Sequence, residues 1–446
     1  MNLKDKLRKL DPQSKKQEET KKNRDKQQSE NKKDISNDKT TNDEEKGKSE
    51  FFQIDNDDSK DKIIEKLAGK IIENDSGKYF LRELEYPLTR EHGDYCLDQL
   101  VGLKSQDLAA IMGSTDLPDE LDYRDLLFID TETTGLMGGT GTIPFMIGIG
   151  FFTADSFIVK QYFMRDYDDE TALMEDLADI WDDFTLFVSF NGKSFDLPLI
   201  KTRFIMNRMK GKTAGYHLDL LHASRRIYKH LSSCSLGNLE NKVLQIYRHN
   251  DLPGREVPTR YFKYLDRKDP ELLAPIFKHN LIDIVSLVTL LSHLEKIYNS
   301  PEECDLSAKE LYNLGRCWEN RKDLVKSINF YENSYTKAIQ DDGNRYIRKD
   351  IAVNLSWQYK RADRWDEAVE IWETMIENKM GGLFPYIELA KYYEHQQKDL
   401  TKAHQYTLEA SRYLRENRPI FKKYSEKKDE IEHRLDRLER KLNKIS

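Results

Sequence analysis

FIDTETTGL, residues 128–136, joins the end of an apolar run to two acids one residue apart, then to polar residues and a glycine. On a strand, residues i and i+2 point to the same side. Asp130 and Glu132 therefore project together from the end of LLFID (126–130). Two like charges at a sheet edge are costly unless a cation holds them. A hard divalent ion is the natural partner, because it prefers oxygen ligands and binds through few carboxylates plus substrate phosphates. Alone, Asp-x-Glu fits a solvated strand end equally well, so its surroundings must decide.

Working outward, IPFMIGIGFF (143–152) and SFIVKQYFM (156–164) follow LLFID as two further strands, with TAD (153–155) short enough for a hairpin turn. An amphipathic helix is predicted over about 168–183, then the strand TLFVSF (185–190) and a helix from Phe195. YHLDL (216–220) reads as a short strand leading to a basic helix around SRRIYKHL. A longer helix near 274–297 carries Leu281, Ile284, Val285, Val288 and Leu291 at helical spacing. A meander followed by alternating helices and strands predicts an α/β fold, a mixed sheet covered by helices. In NGKSFDLP, Asn191 and Gly192 make a turn and Asp196 opens a helix, as a local cap or as a third acid aimed at the same cleft. His279 and Asp283, four apart, share one face of the long helix. Asp219 in HLDLL reads as a hydrogen-bonding support, and Phe195 as core packing rather than a stacking platform.

The chain of 446 residues has room for two or three domains. Its 38% apolar and 34% charged content suggests that a disordered segment dilutes the average. Residues 1–50 hold fifteen Lys/Arg and twelve Asp/Glu and no aromatic residue, so they are expected to be disordered. Leu3, Leu7 and Leu10 form at most one short apolar face there. A net charge of −7 argues against a uniformly basic coat but leaves room for a local basic groove. Lys201, Arg203, Arg208, Lys210, Lys212, Arg225, Arg226 and Lys229 form the densest such group. The four cysteines show no zinc spacing, and IPFMIGIGFF falls far short of the roughly 20 residues of a membrane span. The expectation is a soluble, reduced, cytoplasmic protein with no membrane partner.

Beyond residue 305 the pattern is helical and repeats itself. Leu355, Tyr359, Ala368 and Trp372 recur as Leu389, Tyr393, Ala403 and Tyr406–Thr407, and Leu314, Gly315, Trp318 and Tyr331 make an earlier copy. The first interval is 34 residues and the earlier copy is displaced by 41. Large residues on one helix meet small ones on the next. The spacing and the Leu-Gly-x-x-aromatic start resemble tetratricopeptide repeats; an irregular helical tail is the alternative. Ile431, Leu435, Leu438, Leu442 and Ile445 mark a last helix that caps the repeats or forms a short coiled coil.

FIDTETTGL, FVSFNGKSFDLPLI and HNLIDIVSL together resemble, in order and spacing, the three exonuclease motifs of the DEDD branch of the ribonuclease H-like superfamily. Closer still is the resemblance to the YprB-like family of bacterial proteins, in which such a domain precedes tetratricopeptide repeats. The resemblance implies a mixed five-stranded sheet flanked by helices. It covers roughly residues 80–300, and the repeats more loosely; with the composition and pattern it divides the chain into a charged tail (1–50), an exonuclease domain (76–300) and helical repeats with a capping helix (305–446). It implies that Asp130, Glu132, Asp196 and Asp283 hold two Mg²⁺ or Mn²⁺ ions, and that His279 orients or deprotonates the attacking water. One departure stands out. DEDD proteins have Tyr four residues before the last Asp or His five before it, whereas here His279 stands at the four-residue spacing. Thr133, Thr134, Gly135 and Leu136 match the segment lining the terminal nucleotide, with Gly138, Gly139 and Gly141 as a loop beside it. Asn191 supports the ligands from behind or contacts a phosphate, or is an ordinary turn residue.

The implied activity is a metal-dependent 3′→5′ exonuclease acting on single-stranded or frayed ends of DNA or RNA. The hybrid spacing of His279 motivates a second reading, a nucleic-acid-binding adaptor with a weak or vestigial site whose repeats recruit a protein partner. A third keeps the enzyme but makes it an endonuclease.

Overall fold

The strand carrying the two acids lies inside a sheet rather than at its rim. The computed structural model describes residues 56–114, 116–135, 141–209, 215–341, 345–420 and 423–444. The expectations for the N-terminal tail, for Leu136, Gly138, Gly139, Lys210 and Lys212, and for Ile445 fall outside them. In chain order the strands are β1 (Lys70–Asn74), β2 (Gly77–Pro87), the small pair β3 (Glu91–His92) and β4 (Tyr95–Cys96), β5 (Leu126–Thr133), β6 (Pro144–Phe152), β7 (Ser156–Phe163), β8 (Leu186–Ser189) and β9 (Tyr216–Asp219). Seven of them form one mixed sheet in the order β1-β2-β7-β6-β5-β8-β9. Pairing is antiparallel from β1 to β5 and parallel for β5–β8 and β8–β9.

The α/β sheet flanked by helices is as the sequence predicts, but the five expected strands are extended by two. The stretch KIIENDSGKYFLRELEYP folds as a hairpin whose second strand pairs with β7 along its length. A helix, α1 (Asn56–Leu67), buries Ile63 and Leu67 in the same core as β2. Thus α1 and β1 lie upstream of residue 76 and belong to the sheet layer.

Two apolar cores sandwich the sheet, because alternate residues of each strand face opposite sides. Leu126 and Phe128 of β5 belong to one core, Leu127 and Ile129 to the other. The second core is covered by α3 (Glu170–Trp181), α4 (Asp196–Met206) and α6 (Val257–Arg267). The first takes α2 (Ser105–Met112), α5 (Leu220–Tyr228) and most of α7 (Ala274–Asn299).

Helix α7 is long and apolar enough to cross a membrane by length and composition alone, yet more than half of its apolar stretch is buried inside the protein. It lies close on β6 because that strand offers glycines. A Cβ on Gly148 would meet Asn280 Oδ1 at 2.2 Å, and one on Gly150 would meet Ile284 Cγ2 at 2.6 Å.

From residue 308 the described chain is helical: α8 (Ala308–Asn320), α9 (Leu324–Gln340), α10 (Arg345–Arg361), α11 (Trp365–Glu377), α12 (Phe384–His395), α13 (Leu400–Glu416) and α14 (Tyr424–Leu442). Each packs on the next in sequence. Leu355, Tyr359, Ala368, Trp372 and Leu389 share one core with Tyr331. Gly315 lets α8 approach α9, since a Cβ there would stand 2.8 Å from the Tyr331 ring. Ile431 and Leu435 of α14 pack on Ala410 and Leu414 of α13. Arg434, Arg437 and Lys441 converge on the buried Glu394 carboxylate of α12 at 2.8, 2.7 and 2.8 Å.

Candidate active site

Strand β5 ends irregularly, with its register against β6 shifting between Glu132 and Thr133. Asp130 and Glu132 face α7. Asn280 of that helix donates from Nδ2 to Asp130 Oδ2 at 2.9 Å, while Gln161 of β7 donates to Asn280 Oδ1 at 2.9 Å. Asn280 is fully buried, so this chain of amides fixes the Asp130 carboxylate from behind. Glu132 is also buried, and its Oε1 has no hydrogen-bond partner among the described residues.

Asp196 opens α4, but its carboxylate does not cap the helix. It accepts a short hydrogen bond from Thr131 Oγ1 across the parallel β5–β8 edge. The turn before it is held by Asp219, whose carboxylate accepts from the backbone N–H of Asn191 (2.8 Å), Lys193 (3.2 Å) and Leu221 (3.0 Å). Asp219 is thus the support expected of it. Asn191 is exposed with φ +67°, and Gly192 fits because a Cβ would meet Ser189 Oγ at 2.2 Å. Thr134 N–H donates to Ile143 O at 3.0 Å and Thr133 Oγ1 to Gly135 O at 2.7 Å, which shapes the segment after the acids.

Asp283 and His279 come from α7, and both are engaged. Arg248 bonds Asp283 Oδ1, while His279 Nδ1 lies 2.9 Å from Asp251 Oδ1 and Nε2 lies 3.5 Å from Asp283 Oδ2. Arg248 is also held by Glu240, through Nε to Oε2 at 2.6 Å and Nη2 to Oε1, and reaches Asp251 Oδ2 at 3.1 Å. Burial opposes the charge on Arg248, but Asp283 and Glu240 outweigh it and keep the guanidinium protonated.

The electrostatics show one cluster. Burial, then the charges of Asp283, Glu132 and Asp196, push the Asp130 carboxyl well above the usual carboxylate range, against the Asn280 hydrogen bond. Burial, then Asp283, Asp196 and Asp251, push Glu132 up likewise. Asp196 is raised to about 6 by burial, with the Thr131 hydrogen bond opposing. Asp251 goes the other way: burial works against its charge, but His279 and Arg248 hold it below the usual range.

A divalent ion fits this donor set. The ligating atoms are all hard carboxylate oxygens, Glu132 Oε1 is buried without a donor, and the carboxylates disfavour one another's charge. As they stand, no three His, Cys, Asp or Glu side chains among the described residues are placed to hold a metal. Asp130, Asp196 and Asp283 are each turned onto a protein donor instead.

The predicted basic group is only partly available. Arg203 is buried on Glu170 and Arg226 donates to Ile111 O, because each sits on a helix face turned to the protein. Lys201, Arg208, Arg225 and Lys229 remain exposed. Asn280, Gln161, Arg248, Glu240 and Asp251 were not picked out from sequence. Asn280 stands inside HNLID, where a polar residue at core spacing was a signal. Arg248 and Asp251 lie in YRHNDLPG, which has no periodicity to read.

Residues 127–295, which contain all of these acids, match the family RNase_H_2 of the RNase_H superfamily. The domain is therefore an RNase H-like one. Over 374 residues the chain is 33% identical to the uncharacterized protein YprB of Bacillus subtilis (strain 168), covering 81% of this chain and 86% of that protein. The chain belongs to the YprB family. Among solved structures, the family B DNA polymerase from the hyperthermophilic archaeon Pyrobaculum calidifontis matches with a TM-score of 0.30 at 14% identity, over 44% of this chain and 29% of that one.

Proposed function

We propose that this protein is a metal-dependent 3′→5′ exonuclease that hydrolyses terminal phosphodiester bonds of single-stranded or frayed nucleic acid. The observation that carries the reading is the mutual placement of Asp130, Glu132, Asp196 and Asp283 within an RNase H-like domain, with a buried, unpartnered Glu132 oxygen among them. These four residues would hold two Mg²⁺ or Mn²⁺ ions, which when bound supply Lewis-acid stabilisation of developing charge and a more acidic water.

The chain's own residues do the rest. Asn280 and Thr131 orient Asp130 and Asp196. With Asp251 accepting at Nδ1 of His279, Nε2, which lies 3.5 Å from Asp283 Oδ2, is the ring nitrogen that would take the proton of the attacking water. Thr133, Thr134 and Gly135 line the terminal nucleotide, and Asn191 contacts a phosphate. Residues 56–300 form the nuclease domain in this reading. Residues 305–446 form tetratricopeptide-like repeats capped by α14 that recruit a protein partner.

The test is purified protein with Mn²⁺ on end-labelled DNA and RNA, single- and double-stranded, with free and blocked 3′ ends. Stepwise ladders that a 3′ block abolishes are expected. Asp130→Asn and Asp283→Ala should each lower the rate by about two orders of magnitude or more. Cleavage indifferent to the block would make it an endonuclease, and oligonucleotide binding without turnover would make it an adaptor.

A further inference from the structure

The carboxylate cluster already contains one cation of its own. Arg248 reaches it from the irregular segment after a π-helical turn, Glu240–Leu244. Positive φ angles at Gln245 (55°) and Asn250 (54°) bend this segment back toward α7. The side chain is only 10% exposed, and Glu240 beneath it 1%. The guanidinium meets three carboxylates, with Nη1 reaching Asp251 Oδ2 at 3.1 Å. Nε and Nη2 form a two-pronged bond with Glu240, whereas Nη2 also bonds Asp283, the more exposed carboxylate at 15%. The Glu240 fork is the stronger anchor, since it is two-pronged and a charge so buried is costly to leave unpaired. The Asp283 bond is the one an incoming ion can exchange.

Resting on the exonuclease reading above, we propose that Arg248 is a resident counter-cation of the cluster. It neutralises Asp283 until a divalent ion takes that carboxylate, and then stays fixed on Glu240 and Asp251 with one Nη2 N–H released at the rim of the site. The arrangement sets a positive charge beside carboxylates that would otherwise only repel one another. It also means that metal affinity is set by a competition inside the chain.

The experiment is Mn²⁺ titration by calorimetry of the full chain, comparing wild type with Arg248→Met and with the double variant Arg248→Met/Glu240→Gln. The double variant removes the buried pair together, so that no charge is stranded. Asp130→Asn serves as the control. Removing the competing cation should tighten Mn²⁺ binding about tenfold or more, and Mn²⁺ should raise the melting temperature of either variant more than that of wild type. Unchanged or weaker affinity in the folded variants, with wild-type binding still dependent on Asp130, overturns the role of Arg248 alone. Absence of any Asp130-dependent binding overturns the metal site and this inference with it. A crystal structure of the Ca²⁺-loaded wild type needs no substitution. Asp283 on the ion with Arg248 on Glu240 supports the exchange, and Arg248 still on Asp283 overturns it.

Discussion

At the residue scale, Asp130 shows how much of a site lies behind its ligand. The carboxylate is held by Asn280, Asn280 by Gln161, and Asn280 fits only because residue 148 has no Cβ. Asn280→Ala should therefore lower Mn²⁺ affinity and nuclease activity by roughly 10–100-fold, as removal of outer partners commonly does. Gly148→Ala should act from the other side. It forces the Asn280 amide away, costs about 1–3 kcal/mol by denaturant unfolding, and lowers activity in the same direction. The acids of FIDTETTGL were legible because a strand's period of two puts i and i+2 on one side. The amides behind them were not, since Gln161 and Asn280 are 119 residues apart and meet only across the sheet.

At the element scale, α7 does more than its apolar periodicity indicates. One turn supplies His279, Asn280 and Asp283, and farther along it buries His293 between two tyrosines. Tyr95 Oη lies 2.5 Å from His293 Nδ1, and Tyr228 Oη bonds Nε2. Burial pushes this imidazole down from 6.5 to about 4, with Lys296 acting in the same direction. The folded protein therefore keeps His293 neutral where the unfolded chain would protonate it. Its contribution is present above about pH 6.5 and is lost as pH falls toward 4. His293→Gln should be less stable than wild type at pH 7, and the gap should narrow by up to about 3 kcal/mol between pH 7 and 4 in urea unfolding at each pH. A constant gap would remove His293 as the acid-sensitive group. The position of α7 was readable from Leu281, Ile284, Val285, Val288 and Leu291. Its closeness to β6 was not, because periodicity says which face is buried and nothing about how near the neighbour comes.

At the scale of the whole molecule, the sheet and the helices after it share a core. Leu311, Leu314, Trp318 and Phe330 pack in the same cluster as Leu218, Ile227 and Leu294. Asn313 is buried and donates to Ile227 O at 2.8 Å, and Arg321 reaches Ala109 O. A chain ending at residue 306 would lose these contacts and expose Ile227 and Tyr298. It should melt well below the full chain and bind a hydrophobic dye, whereas an equally stable, monomeric fragment would show that the sheet layer stands alone. Asn313→Ala is a milder version, expected to cost about 1–3 kcal/mol because it strands a buried carbonyl.

Local rules were enough to read the strands of the meander, the long helix and the helical character beyond residue 305, since each depends on neighbours two to four residues away, whereas the four acids were joined into one set only by the family resemblance. The extra hairpin β1–β2 was missed because its second strand finds its partner β7 far along the chain. Tertiary structure alone decided which basic residues were consumed, Arg203 by Glu170 and Arg226 by Ile111. It alone brought Arg248 onto Asp283 and Asp251 onto His279. Those pairings join residues 28 to 115 positions apart, and an irregular segment such as YRHNDLPG carries no period from which to infer them. Residue types and spacing specify what chemistry a stretch can offer; the pairing of buried charges depends on which backbones the fold brings side by side.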